Sequence, residues 1–210
     1  MNGTATAGGV AVKRLPPGRH KLSRAEVRES QLRRLEAAAA EALLAAGYGG
    51  ITTTLVARSA GVSTATLYRY FNDLWACLLA AHEAGAARLC RRIEEACGAT
   101  GGDAAAQAAA GVDAALELLD REPALAYLLS ADPPGAAADL WAARRRLVAG
   151  LAGALGRGDE DGSRTRDEHL VVAALRMVAT RSRSGEPGAI RDLGTSLTAI
   201  LLSGGGPGGT

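Results

Sequence analysis

Aromatic side chains are almost missing from this sequence: one Phe, two Trp and four Tyr make up 3% of its 210 residues. β-branched residues are also sparse outside a few short stretches. Strands favour both kinds, so a sheet protein is a poor expectation and close-packed, alanine-rich helices a good one. Cysteine is nearly absent too. Cys77, Cys90 and Cys97 are an odd count without CxxC spacing, which argues against a disulfide framework and a zinc site and leaves small buried hydrophobes as the default. Cys90 and Cys97 stand about 10 Å apart along one helix, too far for a bridge within it. A redox switch would need a thiol from elsewhere. His82 and His169 have no second ligand at metal-binding spacing on the same helix, so neither a metal nor a cofactor is expected. No stretch of about 18 apolar residues and no secretory signal pattern occurs, which predicts a cytoplasmic protein without a membrane span. G-x-S-x-G, P-loop and H-E-x-x-H patterns are lacking as well, and Gly156-Arg157-Gly158 is only a glycine cluster in a loop. An enzymatic reading therefore finds no support.

What is present is asymmetric. Residues 1–71 hold ten Lys/Arg against four Asp/Glu, a net of +6, while the remainder holds fourteen against eighteen, a net of −4. A basic N-terminal third on an acidic body suits a module that meets a polyanion. Residues 1–22 mix Gly, Thr, Pro and basic side chains without periodicity and read as a disordered arm. Its Lys13, Arg14, Arg19 and Lys21 either touch a phosphate backbone or stay solvated.

Order begins at Ser23, where Ser23-Arg24-Ala25-Glu26 fits a capping box. Leu32, Leu35, Ala39, Ala42 and Ala46 then form one apolar stripe, and Gly47 ends the helix, with Tyr48 folding back onto it. Thr52 or Thr53 caps a short helix to Ala60 with Val56 and Ala57 inward. Gly61 supplies the positive φ of a tight turn and Val62 plugs the angle. Ser63 caps the next helix, taken as Ser63 to Phe71, with Leu67 and Phe71 buried and Thr64, Ala65, Tyr68 and Arg69 outward. Further helices are expected from Asp73 to about Cys97, Ala104 to Leu119, Pro123 to Ser130, Ala136 to Leu155, Arg166 to Ser182 and Pro187 to Leu202. Gly156 to Thr165 reads as a mobile loop and residues 205–210 as a flexible tail.

The segment from Ser23 to about Leu79 closely resembles the DNA-binding domain of TetR-family transcriptional regulators. The matches are the arginine-rich first helix, Gly47-Tyr48, Ala60-Gly61-Val62-Ser63 and Thr66-Leu67-Tyr68-Arg69-Tyr70-Phe71. The body resembles the family in helix number and order alone. The implied architecture is all-α: an N-terminal three-helix helix-turn-helix domain, residues 23–72, joined to a C-terminal helical ligand-binding and dimerisation domain, residues 73–204. The resemblance implies a nucleoid-associated homodimer whose recognition helices enter successive major grooves of a near-palindromic double-stranded DNA operator, and a repressor released by an unknown small-molecule effector. By position Thr52 and Tyr70 correspond to phosphate contacts, with packing as the other reading of Tyr68 and Tyr70. Thr54, Thr66 and Tyr68 sit where members touch backbone or base edges. The residues themselves add Arg69 as a partner for a guanine edge and Ala65 for a thymine methyl. Leu74 stands where many members carry a phosphate-binding lysine. That departure leaves room for a TetR-like interaction or sensor protein with weakened DNA binding.

For the body, Tyr127, Trp141, Arg144, His169 and Arg176 are the conspicuous candidates for an effector pocket, with surface or core positions as the alternative for each. Leu170, Ala173, Ala174, Met177 and Val178, followed by Leu193, Leu197, Ile200 and Leu201, give apolar faces for a four-helix interface across a two-fold axis, with packing inside the chain as the alternative.

Overall fold

The computed structural model describes residues 23–154 and 161–203, the side chains of 161–165 and 200–203 excepted. The basic arm, part of the predicted loop after Leu155 and the tail lie outside the described residues. Within them the chain is helical and contains no strand.

The first helix, α1 (Arg24–Gly50), starts on the predicted capping box: Ser23 Oγ accepts from the Glu26 amide at 3.2 Å, and the Ser23 amide donates to Glu26 Oε2 at 2.7 Å. Gly47 does not end it outright. At φ 65° and ψ 175° it kinks the chain, and a last turn continues to Gly50, because only glycine takes that backbone region without a Cβ clash. Leu35, Ala39, Ala42 and Leu43 are buried on the inward face. Tyr48 packs beside Trp75 of α4 (Leu74–Ala99), ring centroids 6.4 Å apart, so it reaches a neighbouring helix rather than folding back on its own.

Thr52, not Thr53, caps α2 (Thr53–Ala60), its hydroxyl accepting from the Leu55 amide at 3.1 Å. Gly61 is left-handed at φ 65° and ψ 37°. The turn it makes lets its own amide donate to Arg58 O and the Val62 amide to Ala57 O, satisfying carbonyls at the end of α2. Next comes α3 (Thr64–Tyr68), capped by Ser63 Oγ on the Thr66 amide at 3.1 Å. It is shorter than the predicted span. The Arg69 amide is shared between Ala65 O and Thr66 O, and the Tyr70 amide turns back three residues to Leu67 O, so the chain tightens out of the helix before Phe71. Leu67 is fully buried and Phe71 nearly so, locking the short helix onto α1 and α2.

The body follows as α4, capped by Asp73, α5 (Ala104–Arg121), capped by Asp103, α6 (Pro123–Ser130), α7 (Ala138–Ala154) and α8 (Asp161–Ser182). Helix α8 thus begins inside the segment expected to be loop. The helix expected from Pro187 is instead a turn, a 3-10 stretch at Arg191–Leu193 and α9 (Gly194–Ser203). Asp120 of α5 explains the late start: its Oδ1 accepts from the Ile190 amide at 3.2 Å and the Arg191 amide at 3.4 Å, holding donors that a helix begun at Pro187 would need.

One buried cluster joins α1, α2 and α3 to the first part of α4, to α6 and to the start of α7; a second fills the body between α4, α5, α6, α8 and α9. Each fully buried leucine of the first cluster, among them Leu35, Leu43 and Leu67, contributes about 1.5–3 kcal/mol by leaving water. Head and body therefore share a core. Helix α6 lies against α1 on one side and α8 on the other, so a displacement of either partner is felt by the third.

Candidate nucleic-acid interface

The reading surface follows from which way Leu67 points. With Leu67 at 0% exposure, the helical period turns Ala65, Tyr68 and Arg69 outward, and Tyr68 is 53% exposed, a large apolar surface for a ring with no function. Thr64 and Thr66 are half-buried at the near end, and the Thr66 hydroxyl sits 3.0 Å from Ser63 Oγ, which fixes its rotamer. Thr52 and Thr54 are exposed on the adjoining helix. Because the Thr52 oxygen accepts from the Leu55 amide, its own proton remains to be donated, as a phosphate oxygen requires. Thr52, Thr54, Ala65, Tyr68 and Arg69 are thus exposed, and Thr64 and Thr66 half-buried, on α2, α3 and their caps.

Tyr70 stands apart from them. It is half-buried, and its hydroxyl donates to Gln31 Oε1 across to α1, so its single proton is engaged within the head. In this geometry Tyr70 ties the turn after α3 to α1. Arg34, one turn further along the same helix, donates to Ala60 O at 2.5 Å and holds the end of α2. Neither Gln31 nor Arg34 was singled out from the sequence; their spacing of three puts them on one side of α1, but which chain segment they meet depends on the docking of α2 and α3.

Several exposed arginines of α1 to α3 stand outside ion pairs. Arg24, Arg28, Arg58 and Arg69 are exposed without an ion-pair partner among the described residues, while Arg33 is paired with Glu29 at 3.3 Å. The start of α4 differs. Leu74 is half-buried, and the Asp73 carboxylate occupies the helix terminus by accepting from the Ala76 amide at 2.8 Å, so a negative group already sits where a phosphate would otherwise dock.

In the body, an apolar cavity of about 90 Å³ lies between α4, α5, α7, α8 and α9, with Ile93, Cys97, Gly111, Leu151, Ala174 and Leu197 in its wall. Gly111 lets α5 approach α4 closely: a Cβ there would meet Cys97 Sγ at 2.8 Å. None of the five candidate effector residues is in this wall. Tyr127 is buried in α6 under the Arg183 guanidinium, 5.8 Å from the ring centre. Arg144, only 3% exposed, donates to Leu129 O at 3.1 Å and pairs with Asp132 at 3.0 Å; Arg176 pairs with the other Asp132 oxygen at 3.4 Å. Trp141 is half-buried on α7 and His169 is exposed on α8. Three of the five therefore gather at the end of α6.

The expected dimer faces divide as well. Val178, Leu193 and Leu197 are buried by their own chain, which takes them out of direct reach of a partner. Leu170, Ala174 and Met177 are half-buried and Ala173 is exposed on α8; the side chains of Ile200 and Leu201 lie outside the described residues.

Burial perturbs several groups near the junction of head and body, among them His82, Tyr48 and Cys77. His82 of α4 is 2% exposed, neither ring nitrogen has a hydrogen-bond partner, and desolvation with the nearby Arg144 and Arg146 pushes its pKa down to about 4. Desolvation raises the Tyr48 phenol and the Cys77 thiol to about 12 each. Among the described residues no cluster of three or more His, Cys, Asp and Glu is placed to hold a metal, and no helix is long and apolar enough to cross a membrane.

Comparison with known proteins adds to this geometry. Residues 36–81 match the family model of bacterial regulatory proteins, tetR family. No curated protein matches the chain. Among solved structures, the fatty acid degradation regulator FadR from Bacillus halodurans is similar over 86% of this chain and 97% of its own, with 18% identity and a TM-score of 0.69. The regulator FadR from Bacillus subtilis in complex with stearoyl-CoA covers 83% of this chain and 99% of its own at 18% identity and a TM-score of 0.63. A TetR-like transcriptional regulator from Rhodococcus sp. RHA1 covers 88% and 100% at 21% identity and a TM-score of 0.60. At these identities the likeness is one of fold.

Proposed function

The chain belongs, by its reading head, to the tetR family of bacterial regulatory proteins, and on that premise we propose that it is a sequence-specific transcriptional regulator working as a homodimer. The observation that carries this reading is the outward row of Ala65, Tyr68 and Arg69 on a helix whose opposite side, Leu67, is locked in the core. Such a row enters a major groove with Arg69 reading a guanine and Ala65 a thymine methyl, while Thr52 donates to a phosphate. A dimer presents two rows to the half-sites of a near-palindromic operator. Occupation of the body by a small molecule that favours one spacing of the heads releases the DNA, which makes the protein a repressor.

The body cavity favours an apolar effector. Its wall offers almost no polar group, and the Bacillus subtilis regulator of the same fold was solved with a fatty acyl ligand. An acyl chain is the class of effector that fits both facts.

Selection from random duplex DNA followed by mobility shifts tests the proposal. A two-fold-related consensus with salt-sensitive binding is expected, and Arg69→Ala should relax discrimination at one position per half-site by about 1–3 kcal/mol. No enrichment at low salt, with Arg69→Ala behaving as wild type, would sink it. A second reading then gains: a TetR-like interaction or sensor protein with weakened DNA binding. Leu74, the Asp73 carboxylate at the start of α4 and the engaged Tyr70 hydroxyl favour that one.

A further inference from the structure

We propose that Asp132 is the joint through which the width of the body cavity sets the position of the reading head. The inference rests on the regulator reading above, in which the body takes a ligand. It starts from an unusual sharing. One carboxylate is held by two helices through separate oxygens: Arg144 of α7 at 3.0 Å from Oδ1 and Arg176 of α8 at 3.4 Å from Oδ2. Both helices line the cavity with other residues, Leu151 and Ala154 from α7, Ala174 and Val178 from α8. Arg176 lies between those last two in sequence, so a shift of the cavity wall at α8 is a shift of Arg176.

The other side of the joint is α6. Arg144 also donates to Leu129 O in its last turn, and Arg183, just past the end of α8, covers Tyr127 two residues earlier. Helix α6 in turn packs on α1, the spine of the reading head. Arg144 is buried, and a buried guanidinium cannot be separated from its carboxylate without leaving an uncompensated charge, so α7, Asp132 and the end of α6 move as one body. The Arg176 pair is different. It is solvent-exposed on both sides, 69% and 42%, and contributes little to stability, yet it adds a directed tie between that body and α8, which already packs on α6 and α7. A cavity of about 90 Å³ is smaller than the roughly 150 Å³ that accepts benzene, so a chain seated deep between these helices presses on their walls. Parting α8 from α7 pulls the two oxygens of Asp132 in different directions.

The test loads the cavity without a natural effector. In the full-length protein carrying Cys90→Ala and Trp141→Phe, Cys97 is the cavity thiol and Trp75, stacked by Tyr48 at the kinked end of α1, is the sole tryptophan. Cys77 is fully buried with its thiol raised to about 12 and does not compete. Octyl methanethiosulfonate transfers its alkylthio group to the Cys97 sulfur with loss of methanesulfinate, and mass spectrometry counts the loading. Trp75 emission, hydrogen exchange across α1 to α3 and affinity for a selected duplex are then read. Loading is expected to shift the emission, speed exchange in the head and weaken DNA binding about tenfold, a usual size for coupled sites. Arg176→Ala should load equally but lose most of all three responses, while its unloaded affinity stays at the parent value; Asp132→Glu, which keeps the charge, should restore part of what Asp132→Asn removes. Full responses in Arg176→Ala, or a loaded parent with an unchanged head, overturn the joint. A head that responds in a protein that binds no DNA upholds the joint and refutes the regulator reading instead.

Discussion

Replacing His82 by leucine should stabilise the protein at neutral pH and flatten its acid denaturation. The imidazole is 2% exposed with both nitrogens unpartnered, beside two arginines, and its pKa falls from 6.5 to about 4. A base whose folded pKa is depressed binds its proton better when unfolded. Its neutral form therefore supports folding fully above pH 6.5, and that support is lost as pH falls from 6.5 towards 4. A depression of this size corresponds to about 3 kcal/mol over the whole window, of which about 2 kcal/mol has gone by pH 5. At pH 7.5 the apolar replacement should gain about 1–2 kcal/mol by removing two buried polar atoms without partners. Urea unfolding followed by far-UV circular dichroism at pH 7.5 and 5.0 measures both terms, with protein concentration fixed so that subunit association does not move the midpoint. Carboxylates also titrate in this range, so the informative quantity is the difference between the two proteins. If wild type and His82→Leu lose stability in parallel between the two pH values, the imidazole is not buried neutral and the argument fails.

Gly61→Ala should cost about 1–2 kcal/mol in the same unfolding experiment, since the left-handed turn at φ 65° puts a Cβ against the following carbonyl; an unchanged midpoint would mean that the turn relaxes freely. Leu67→Ala should cost about 2.7–5 kcal/mol and abolish specific DNA binding, because the residue is fully buried and anchors the reading helix. Leu74→Lys should steepen the dependence of log affinity on log salt by about 0.9, the value of one added phosphate contact, and a slope unchanged in filter-binding titrations would show that the start of α4 does not face the backbone.

Most of the head was legible in the sequence because its signals are local. Ser23 and Ser63 cap the helices expected of them, Thr52 takes the cap left open between it and Thr53, and Asp73 and Asp103 cap the next two helices, since a cap needs only a side-chain oxygen and an amide three residues on. Gly61 was legible for the same reason. The failures are where a distant partner decides. Nothing near Tyr70 shows that its hydroxyl belongs to Gln31, and nothing near Pro187 shows that Asp120, some seventy residues earlier, will take the amides that start the last helix elsewhere. Helical periodicity marked Val178, Leu193 and Leu197 as one-sided and apolar, but it is blind to whether the neighbour is the same chain or another; here it is the same chain. Arg144 and Arg176 stand out as polar groups on apolar helices, which suits a pocket, core or surface place alike, and only the fold shows that both pair with a single carboxylate.

The five residues of α3 are too few to hold a helix without help, because nucleation alone would outweigh the bonds they form. Its shape is lent by Ser63, Leu67 and the core beneath. Warming that loosens the head should therefore erase base discrimination first, while the arginines of α1 and α2, which need no fixed geometry to attract phosphate, keep the protein on DNA. Over that interval of temperature the molecule would still bind but no longer choose.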